Sequence, residues 1–162
     1  MSAPIYLDHN ATTPVAPEVL DAMLPWLREQ YGNPSSSHVF GQRAAQAVAT
    51  ARAQVAGLIG AQPAEIVFTG CATEANNLAL CGVAQTVPAQ RRHLVTSAVE
   101  HPAVMAPALY LRHQGWDVTV LPVDSFGRVS VDDVARALRP DTALVSVMHA
   151  NNEVGTLQPV AG

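Results

Sequence analysis

The sequence predicts an α/β fold built on a largely parallel, doubly wound sheet. Segments of strand character alternate along the chain with segments of helical periodicity, and strands that are separated by helices run parallel in such folds. Residues 143–148 (ALVSVM) are nearly all apolar, as expected of a strand covered by helices on both faces. With 162 residues, of which 49% are hydrophobic and 14% charged, the chain can bury a sizeable core and is not disordered.

The N-terminal part of the chain predicts two helices. The first should run from about Pro17 to Gln30, with proline at a favourable first position and a kink at Pro25. Its apolar stripe is expected to contain Val19, Met23, Trp26 and Leu27. After a turn-rich segment at 31–37, a long alanine-rich helix should reach Ile59 and end at Gly60.

The remainder of the chain predicts successive strand–helix units. Strands are expected at 65–69, 93–97, 117–121 and 143–148, and helices at about 73–87, 102–115 and 130–139. Ser130 resembles an N-cap because Asp133 follows three residues later, and Pro107 should bend its helix. The inward stripe of the helix at 73–87 is expected to contain Ala75, Leu78, Ala79 and Val83.

Composition and charge argue against several classes of partner. The formal net charge is −4, so we expect no general binding to nucleic acid or to an anionic membrane surface. No apolar run approaches the roughly 18–20 residues that span a bilayer, and the start MSAPIYLDHN lacks the features of a signal peptide. We therefore expect a cytoplasmic protein. Cys71 and Cys81 match neither a redox pair nor a zinc ligand set, and a packing role is expected for both.

The chain contains no lysine, since all nine basic residues are arginines. Chemistry that needs a side-chain amine, such as formation of a Schiff base, therefore cannot be completed by these residues alone.

Ligands of doubly wound sheets bind beyond the carboxyl ends of the strands, which directs attention to the loops at 69–74, 98–102 and 149–155. In the first loop, the amides of a helix start and the hydroxyl of Thr73 form a natural phosphate cradle. The alternative is an ordinary turn in which Thr73 only caps the helix. In the second loop, His101 is placed to stack on a planar ligand and exchange protons near neutral pH, or else to serve as a helix-capping or surface histidine.

The third loop places polar side chains directly after an apolar strand. Buried polar groups need partners, so the run indicates either a ligand or a hydrogen-bonded clamp of the loop itself. Its members are His149, Asn151, Asn152 and Glu153. No third ligand accompanies His149 and Glu153, and no metal site is predicted.

Four stretches of the sequence together resemble one enzyme family. They are YLDHNATTP at 6–14, GNPSSSHVFG at 32–41, FTGCATEANN at 68–77 with EHPAV at 100–104, and VSVMHANNEVGTLQP at 145–159. From Ile5 to Pro159, in order and spacing, the chain resembles the N-terminal portion of the NifS/IscS-type cysteine desulfurases. These are pyridoxal 5'-phosphate (PLP) enzymes of the class V aminotransferase family, with the aminotransferase-like fold (fold type I).

The resemblance implies roles for individual residues. Ala72 and Thr73 would contact the phosphate of PLP, in agreement with the phosphate cradle described above. His101 would stack over the pyridine ring and act as the catalytic residue in proton transfer. Asn152 would hydrogen-bond the phenolic oxygen of the cofactor.

Three further positions bear on the same comparison. Asn10 and His38 would lie near the substrate pocket. Cys71 stands where the family usually has glycine, and a positive φ there would make its Cβ costly by about 1 kcal/mol or more, with Gly70 expected to supply part of the lost freedom. Cys71 does not correspond to the family's sulfur-carrying nucleophile.

The resemblance also implies an activity. Such enzymes convert L-cysteine to L-alanine and pass the sulfur, as an enzyme persulfide, to a sulfur acceptor or iron–sulfur scaffold protein for iron–sulfur cluster or thio-cofactor assembly, and their site lies at a homodimer interface. In family order, the Schiff-base lysine, an aspartate at the pyridine nitrogen and the nucleophilic cysteine follow Gly162.

We therefore expect an incomplete chain that is inactive by itself. Residues 1–15 would be the N-terminal segment of a small domain, and residues 16–162 the first part of a PLP-binding large domain. The alternatives are another class V aminotransferase-like PLP enzyme and a non-catalytic truncated fragment that serves as a binding module.

Overall fold

The computed structural model describes residues 4–161, which form two compact units. One unit runs to Phe68 and the other begins at Thr69. The first unit contains helix α1 (Pro17–Arg28), helix α2 (Val39–Ile59) and a short 3₁₀ turn at Pro63–Glu65.

Helix α1 forms where the sequence predicts it and continues through Pro25. Its apolar stripe is solvent-exposed, with exposed fractions of 36% for Trp26 and 70% for Leu27. None of residues 17–28, all of which the structure describes, is buried. The periodicity of α1 therefore predicted the helix correctly, whereas this stripe does not contribute to a core.

The start of α2 depends on close backbone packing against the preceding turn. A Cβ at Gly41 would lie 2.7 Å from the carbonyl oxygen of Asn33 and would also collide with the carbonyl of Ser36. The ring of His38 caps α2, because its Nδ1 accepts a hydrogen bond from the amide of Gly41 at 3.4 Å. The far end is as predicted, since Gly60 ends α2 in the left-handed conformation at φ 69°.

The predicted strand at 65–69 is not formed, and this expectation was wrong. Ile66 has extended backbone angles, but a strand also requires a neighbour that pairs with its amides and carbonyls. Here the amide of Ile66 bonds to the carbonyl of Pro63, and the guanidinium of Arg52 donates to the carbonyl of Ile66. The carbonyl therefore bonds to a side chain instead of a neighbouring strand.

The second unit confirms the predicted α/β class. It contains α3 (Ala72–Thr86), β1 (His93–Ser97), α4 (Pro102–His113), β2 (Asp117–Leu121), α5 (Val131–Ala137) and β3 (Thr142–Ser146). Within residues 69–161, β1 lies between the other two strands in a parallel sheet of order β2-β1-β3. Helices α4 and α5 are the crossovers that parallel strands require.

Helices cover both faces of this sheet. Leu94 of β1 packs against Leu80 of α3 and Val104 of α4 in one hydrophobic cluster. Its neighbour Val95 points to the opposite face and packs in a second cluster, which includes Val134 of α5. The sheet is therefore doubly wound, as predicted.

Two expectations about burial were wrong. The most buried strand is β1, all five residues of which are buried, whereas the more apolar β3 lies at the edge of the sheet, with Val145 41% exposed. On α3, the face toward the core contains Leu80 and Ala84, followed by the C-cap residue Val87, while Leu78 of the predicted stripe is 52% exposed. Helix α3 is apolar on more than one side, so periodicity alone could not identify the buried face.

Smaller details of the helices also differ from expectation. Ser130 is the N-cap residue of α5, as predicted, but its side chain makes no capping hydrogen bond in the described structure. Asp133 instead forms an ion pair with Arg136. Helix α4 contains Pro107 as a buried residue and continues through it to His113.

Charged groups connect the amino ends of two strands. Arg139 donates a bidentate pair of hydrogen bonds to Asp141, at 2.9 and 2.7 Å, and a further bond to Asp117 at the start of β2. These hydrogen bonds from Arg139 lower the pKa of both aspartates.

His93, the first residue of β1, is fully buried between two hydroxyl groups. Its Nδ1 lies 2.8 Å from Oγ1 of Thr142, and its Nε2 lies 2.8 Å from Oγ1 of Thr119. Burial, assisted by the nearby positive charge of Arg139, lowers the pKa of His93, although the two aspartates oppose this shift. The folded protein therefore favours the neutral imidazole.

Replacing Gly41 by alanine should lower the free energy of unfolding by about 1–3 kcal/mol, as at other overpacked sites. The matched control is Gly57→Ala in the same helix, where a Cβ meets no heavy atom within 4 Å. That change should be neutral or stabilise by up to about 1 kcal/mol. Chemical denaturation of both variants measures the difference, and equal effects would contradict the close-packing explanation.

His93 should make stability depend on pH. Because its pKa is lower in the folded state than the unfolded value of about 6.5, the unfolded chain binds more protons as pH falls below that value, and the free energy of unfolding decreases. His93→Gln keeps hydrogen-bonding capacity and does not titrate. The stability difference between wild type and variant should be larger at about pH 7.5 than at about pH 5, and a constant difference in denaturation experiments would argue against this role.

Candidate functional site

The candidate site lies at the end of β1, beside the N-termini of helices α3 and α4. The loop of residues 98–101 connects β1 to α4, and the segment of residues 147–158 follows β3 at the same edge of the parallel sheet. Helix α3 begins at Ala72, shortly after the start of the second unit. Free amides at a helix start attract anions.

Cys71 is the N-cap residue of α3 and is not strained. Its φ is −167°, which is extended backbone open to any residue, so the expected cost of replacing glycine at this position does not arise. The side chain of Cys71 is exposed, contrary to the expected packing role, whereas Cys81 is half-buried. The turn is held by Glu74, whose Oε2 accepts a hydrogen bond from the amide of Gly70 at 2.6 Å.

Thr73 and His101 line the same open cleft between α3 and α4, which has a volume of about 580 Å³. The side-chain Nδ2 of Asn77 donates to the carbonyl of Thr73 at 2.9 Å. The other lining residues are Asn77, Cys81, Pro102, Ala103, Ala106, Pro107 and Tyr110. The fold therefore brings together two residues that lie far apart in the sequence and were predicted to bind one ligand.

His101 is the N-cap residue of α4. Its Nδ1 accepts a hydrogen bond from the amide of Ala103 at 3.0 Å, so the capping alternative is confirmed. Capping occupies Nδ1 only, and the exposed ring still lines the cleft. Since Nδ1 accepts, the neutral ring has its proton on Nε2.

The loop after β3 is held by Asn151, and the clamp alternative is confirmed for this residue. Its Oδ1 accepts hydrogen bonds from the amides of Glu153 and Val154 at 2.9 and 3.0 Å, and its Nδ2 donates to the carbonyl of Val99 at 3.1 Å. Asn152 is exposed, and its side-chain Nδ2 donates to Oε1 of Glu153 at 2.8 Å.

Glu100 has a role that the sequence did not predict. Its Oε1 accepts one hydrogen bond from Oγ of Ser97 at 2.9 Å and another from the amide of Met148 at 2.7 Å. The sequence offered one signal for this role, which is that Glu100 is a carboxylate located between an apolar strand and the pair His101–Pro102. The partner amide is distant in sequence, however, so only the fold identifies the contact.

Asn10 and His38 lie in the first unit. Asn10 is exposed in a turn at residues 9–11, and His38 caps α2 through its Nδ1. Their predicted place near a substrate pocket stays a prediction. Within residues 4–161 no group of three or more His, Cys, Asp or Glu residues is arranged to hold a metal ion, and no helix of that range is long and apolar enough to cross a membrane.

The residues of the cleft fit PLP by their chemistry. A phosphate needs hydrogen-bond donors, which the start of α3 and the hydroxyl of Thr73 supply. A pyridine ring needs a flat partner, which the imidazole of His101 supplies. Cys71 adopts extended backbone, so it leaves the helix start regular.

The chain is similar to known proteins in both sequence and structure. The sequence model of the family described as aminotransferase class-V matches residues 5–162. The chain is 49% identical over 160 residues to a protein of Dictyoglomus turgidum named cysteine desulfurase IscS, covering 99% of this chain and 41% of that protein. It is 52% identical to a protein of Anaeromyxobacter sp. with the same name, covering 99% of this chain and 40% of that one.

A solved structure described as a NifS-like protein matches with a TM-score of 0.90 and 46% identity, over 93% of this chain and 41% of the other. The chain thus spans about two-fifths of the length of the relatives it matches.

The capping geometry predicts the tautomer of His101. In the neutral form of the ring, nitrogen NMR of the labelled protein should show a proton on Nε2 and none on Nδ1, because Nδ1 accepts from the amide of Ala103. Asparagine can also cap a helix, so the His101→Asn variant serves for assignment. The resonances that are missing from its spectrum are those of His101. A proton found on Nδ1 would contradict the capped geometry.

Proposed function

Because the chain belongs to the aminotransferase class-V family, we propose that the protein containing it is a PLP-dependent cysteine desulfurase. The substrate would be L-cysteine and the products L-alanine and enzyme-bound persulfide sulfur. The shared cleft of Thr73 and His101 is the observation that supports this proposal most directly. The near 50% identity to proteins named cysteine desulfurase favours it over another reaction of the family.

We propose the following roles for the predicted site residues, of which Thr73 and His101 line the cleft. The amides of Ala72 and Thr73 and the hydroxyl of Thr73 would bind the phosphate of PLP, because they lie at the start of α3. The imidazole of His101 would stack on the pyridine ring. Asn152 would donate a hydrogen bond to the phenolic oxygen, and Asn10 and His38 would contribute to the substrate pocket.

When bound, PLP supplies an electron sink for the substrate's Cα. The chain's own contribution is to orient the ring and to hold a proton at Nε2 of His101, because Nδ1 is engaged with the amide of Ala103. A histidine held in one tautomer can pass that proton with little reorganisation. The 162 residues contain no lysine, so they do not supply the amine that this chemistry needs, and we propose that they are inactive alone.

The proposal extends to assembly and location. Residues 1–15 would belong to a small domain and residues 16–162 to the first part of a PLP-binding large domain. The whole enzyme would be a cytoplasmic homodimer that passes sulfur to an acceptor or iron–sulfur scaffold protein. In the described structure both cysteines are free thiols, which is consistent with a reducing compartment.

Paired variants of the intact protein test the proposed roles. His101→Ala and His101→Asn should both slow turnover by about 100-fold, the range for loss of a general acid or base, and should change the visible absorption of the bound cofactor. Because asparagine preserves the cap, equal defects in the two variants assign the loss to the ring. Thr73→Ala should weaken PLP binding by about tenfold, while Thr73→Ser, which keeps the hydroxyl, should bind normally.

These measurements require PLP titration monitored by absorbance and L-cysteine turnover at saturating cofactor. Wild-type protein that binds no PLP would refute the proposal. Binding without release of alanine from L-cysteine would instead identify another reaction of the family. If His101→Asn retains normal turnover and spectrum, His101 acts only as a helix cap.

A further inference from the structure

We propose that Glu100 and Asn151 are positioning residues that bind the loop containing His101 to the loop containing Asn152. Neither would contact the cofactor, and both would act through the geometry of those two neighbours. This inference deepens the proposed function and rests on it. It concerns how the two side chains that would bind the cofactor are held in register, although they lie 51 positions apart in the sequence.

Glu100 provides the first link between the loops. A single carboxylate oxygen accepts from Ser97 at the end of β1 and from the amide of Met148 just beyond β3. The residue is half-buried and directly precedes His101. Shielded hydrogen bonds to a carboxylate are stronger than neutral ones, so this contact restrains the backbone on the N-terminal side of His101.

Asn151 provides the second link, in the opposite direction. Its Nδ2 donates to the carbonyl of Val99, while its Oδ1 accepts from two amides of its own loop. The residue is 9% exposed and directly precedes Asn152. One amide group therefore shapes the loop after β3 and fixes it to the loop after β1.

The C-terminal side of His101 is restrained as well. Its carbonyl accepts from the amides of Val104 and Met105 in the first turn of α4, and its ring is oriented by the amide of Ala103. The links through Glu100 and Asn151 complete this support, so the imidazole sits on a backbone that is held on both sides. A catalytic group loses efficiency when its supporting contacts loosen.

A second buried amide in the same segment offers a matched control. Gln158 is 4% exposed, accepts from the amide of Val129 at 2.8 Å and donates to the carbonyl of Gly127 at 2.7 Å. Like Asn151 it has both an acceptor and a donor contact, yet its partners lie in the turn before α5. Changing either amide to a carboxylate removes one donor, keeps the acceptor and adds the same charge.

The experiment uses the intact protein and four variants, Glu100→Ala, Glu100→Gln, Asn151→Asp and Gln158→Glu. Amide hydrogen exchange at Ala103 reports the orientation of the His101 ring, because that amide is its hydrogen-bond donor. Titration with PLP measures the affinity of the whole site for the cofactor. We expect Glu100→Ala and Asn151→Asp to accelerate exchange at Ala103 and to weaken PLP binding, each by about tenfold.

The controls should behave differently. Glu100→Gln keeps an oxygen that can accept both hydrogen bonds and should resemble wild type in both measurements. Gln158→Glu should accelerate exchange around residues 127–129 and leave PLP binding within about twofold of wild type.

Several outcomes would overturn the inference. The first is unchanged PLP binding in Asn151→Asp and Glu100→Ala. The second is a loss of PLP affinity in Gln158→Glu that equals the loss in those two variants, since the effect would then come from a general disturbance of the fold. Weaker binding without faster exchange at Ala103 would indicate direct contact instead of positioning. If Glu100→Ala fails to fold, Asn151→Asp decides alone.

Failure of the proposed function gives a distinct result. Wild-type protein that binds no PLP refutes that function. The exchange measurements on unliganded protein then decide whether the two residues hold His101: faster exchange at Ala103 in both variants supports the link, and unchanged exchange refutes it.

Discussion

The second unit depends on the burial of β1 as the central strand of its sheet. All five of its residues are buried, with parallel neighbours on both sides and helices on both faces. Within the described structure the Oγ1 of Thr96 in this strand has no hydrogen-bond partner, but buried polar groups generally find one inside the protein. His93 does so with two threonine hydroxyls and Ser97 with the carboxylate of Glu100. Polar contacts are therefore made at both the amino and the carboxyl end of this strand.

The polar contacts at the amino ends of the strands differ from those at the carboxyl ends. At the amino end, Arg139 links Asp117 and Asp141 in exposed ion pairs, which contribute little to stability individually. At the carboxyl end, Glu100 and Asn151 make shielded hydrogen bonds between loops. The second arrangement suits a binding site, because preorganised polar contacts lower the cost of ordering a ligand's partners.

His101 caps a helix and also lines the cleft, two positions between which the sequence alone did not decide. The helix cap occupies one ring nitrogen, and the position in the cleft leaves the other available. In the loop after β3, Asn151 is the clamp and its neighbour Asn152 is exposed. The structural contacts therefore leave room for the ligand contacts that we propose in the same short loops.

The sequence by itself determined the elements whose signals are local. It predicted β1 and β2 to the residue and the C-terminal end of α2 at Gly60, because alternation and glycine act within a few residues. It also predicted Thr73 and His101 as ligand-binding residues, and the structure places both at one cleft. Only the tertiary structure decided which face of α3 is buried, that residues 65–69 lack a strand partner, and that Glu100 bonds to Met148, because each depends on a surface or amide from a distant part of the chain.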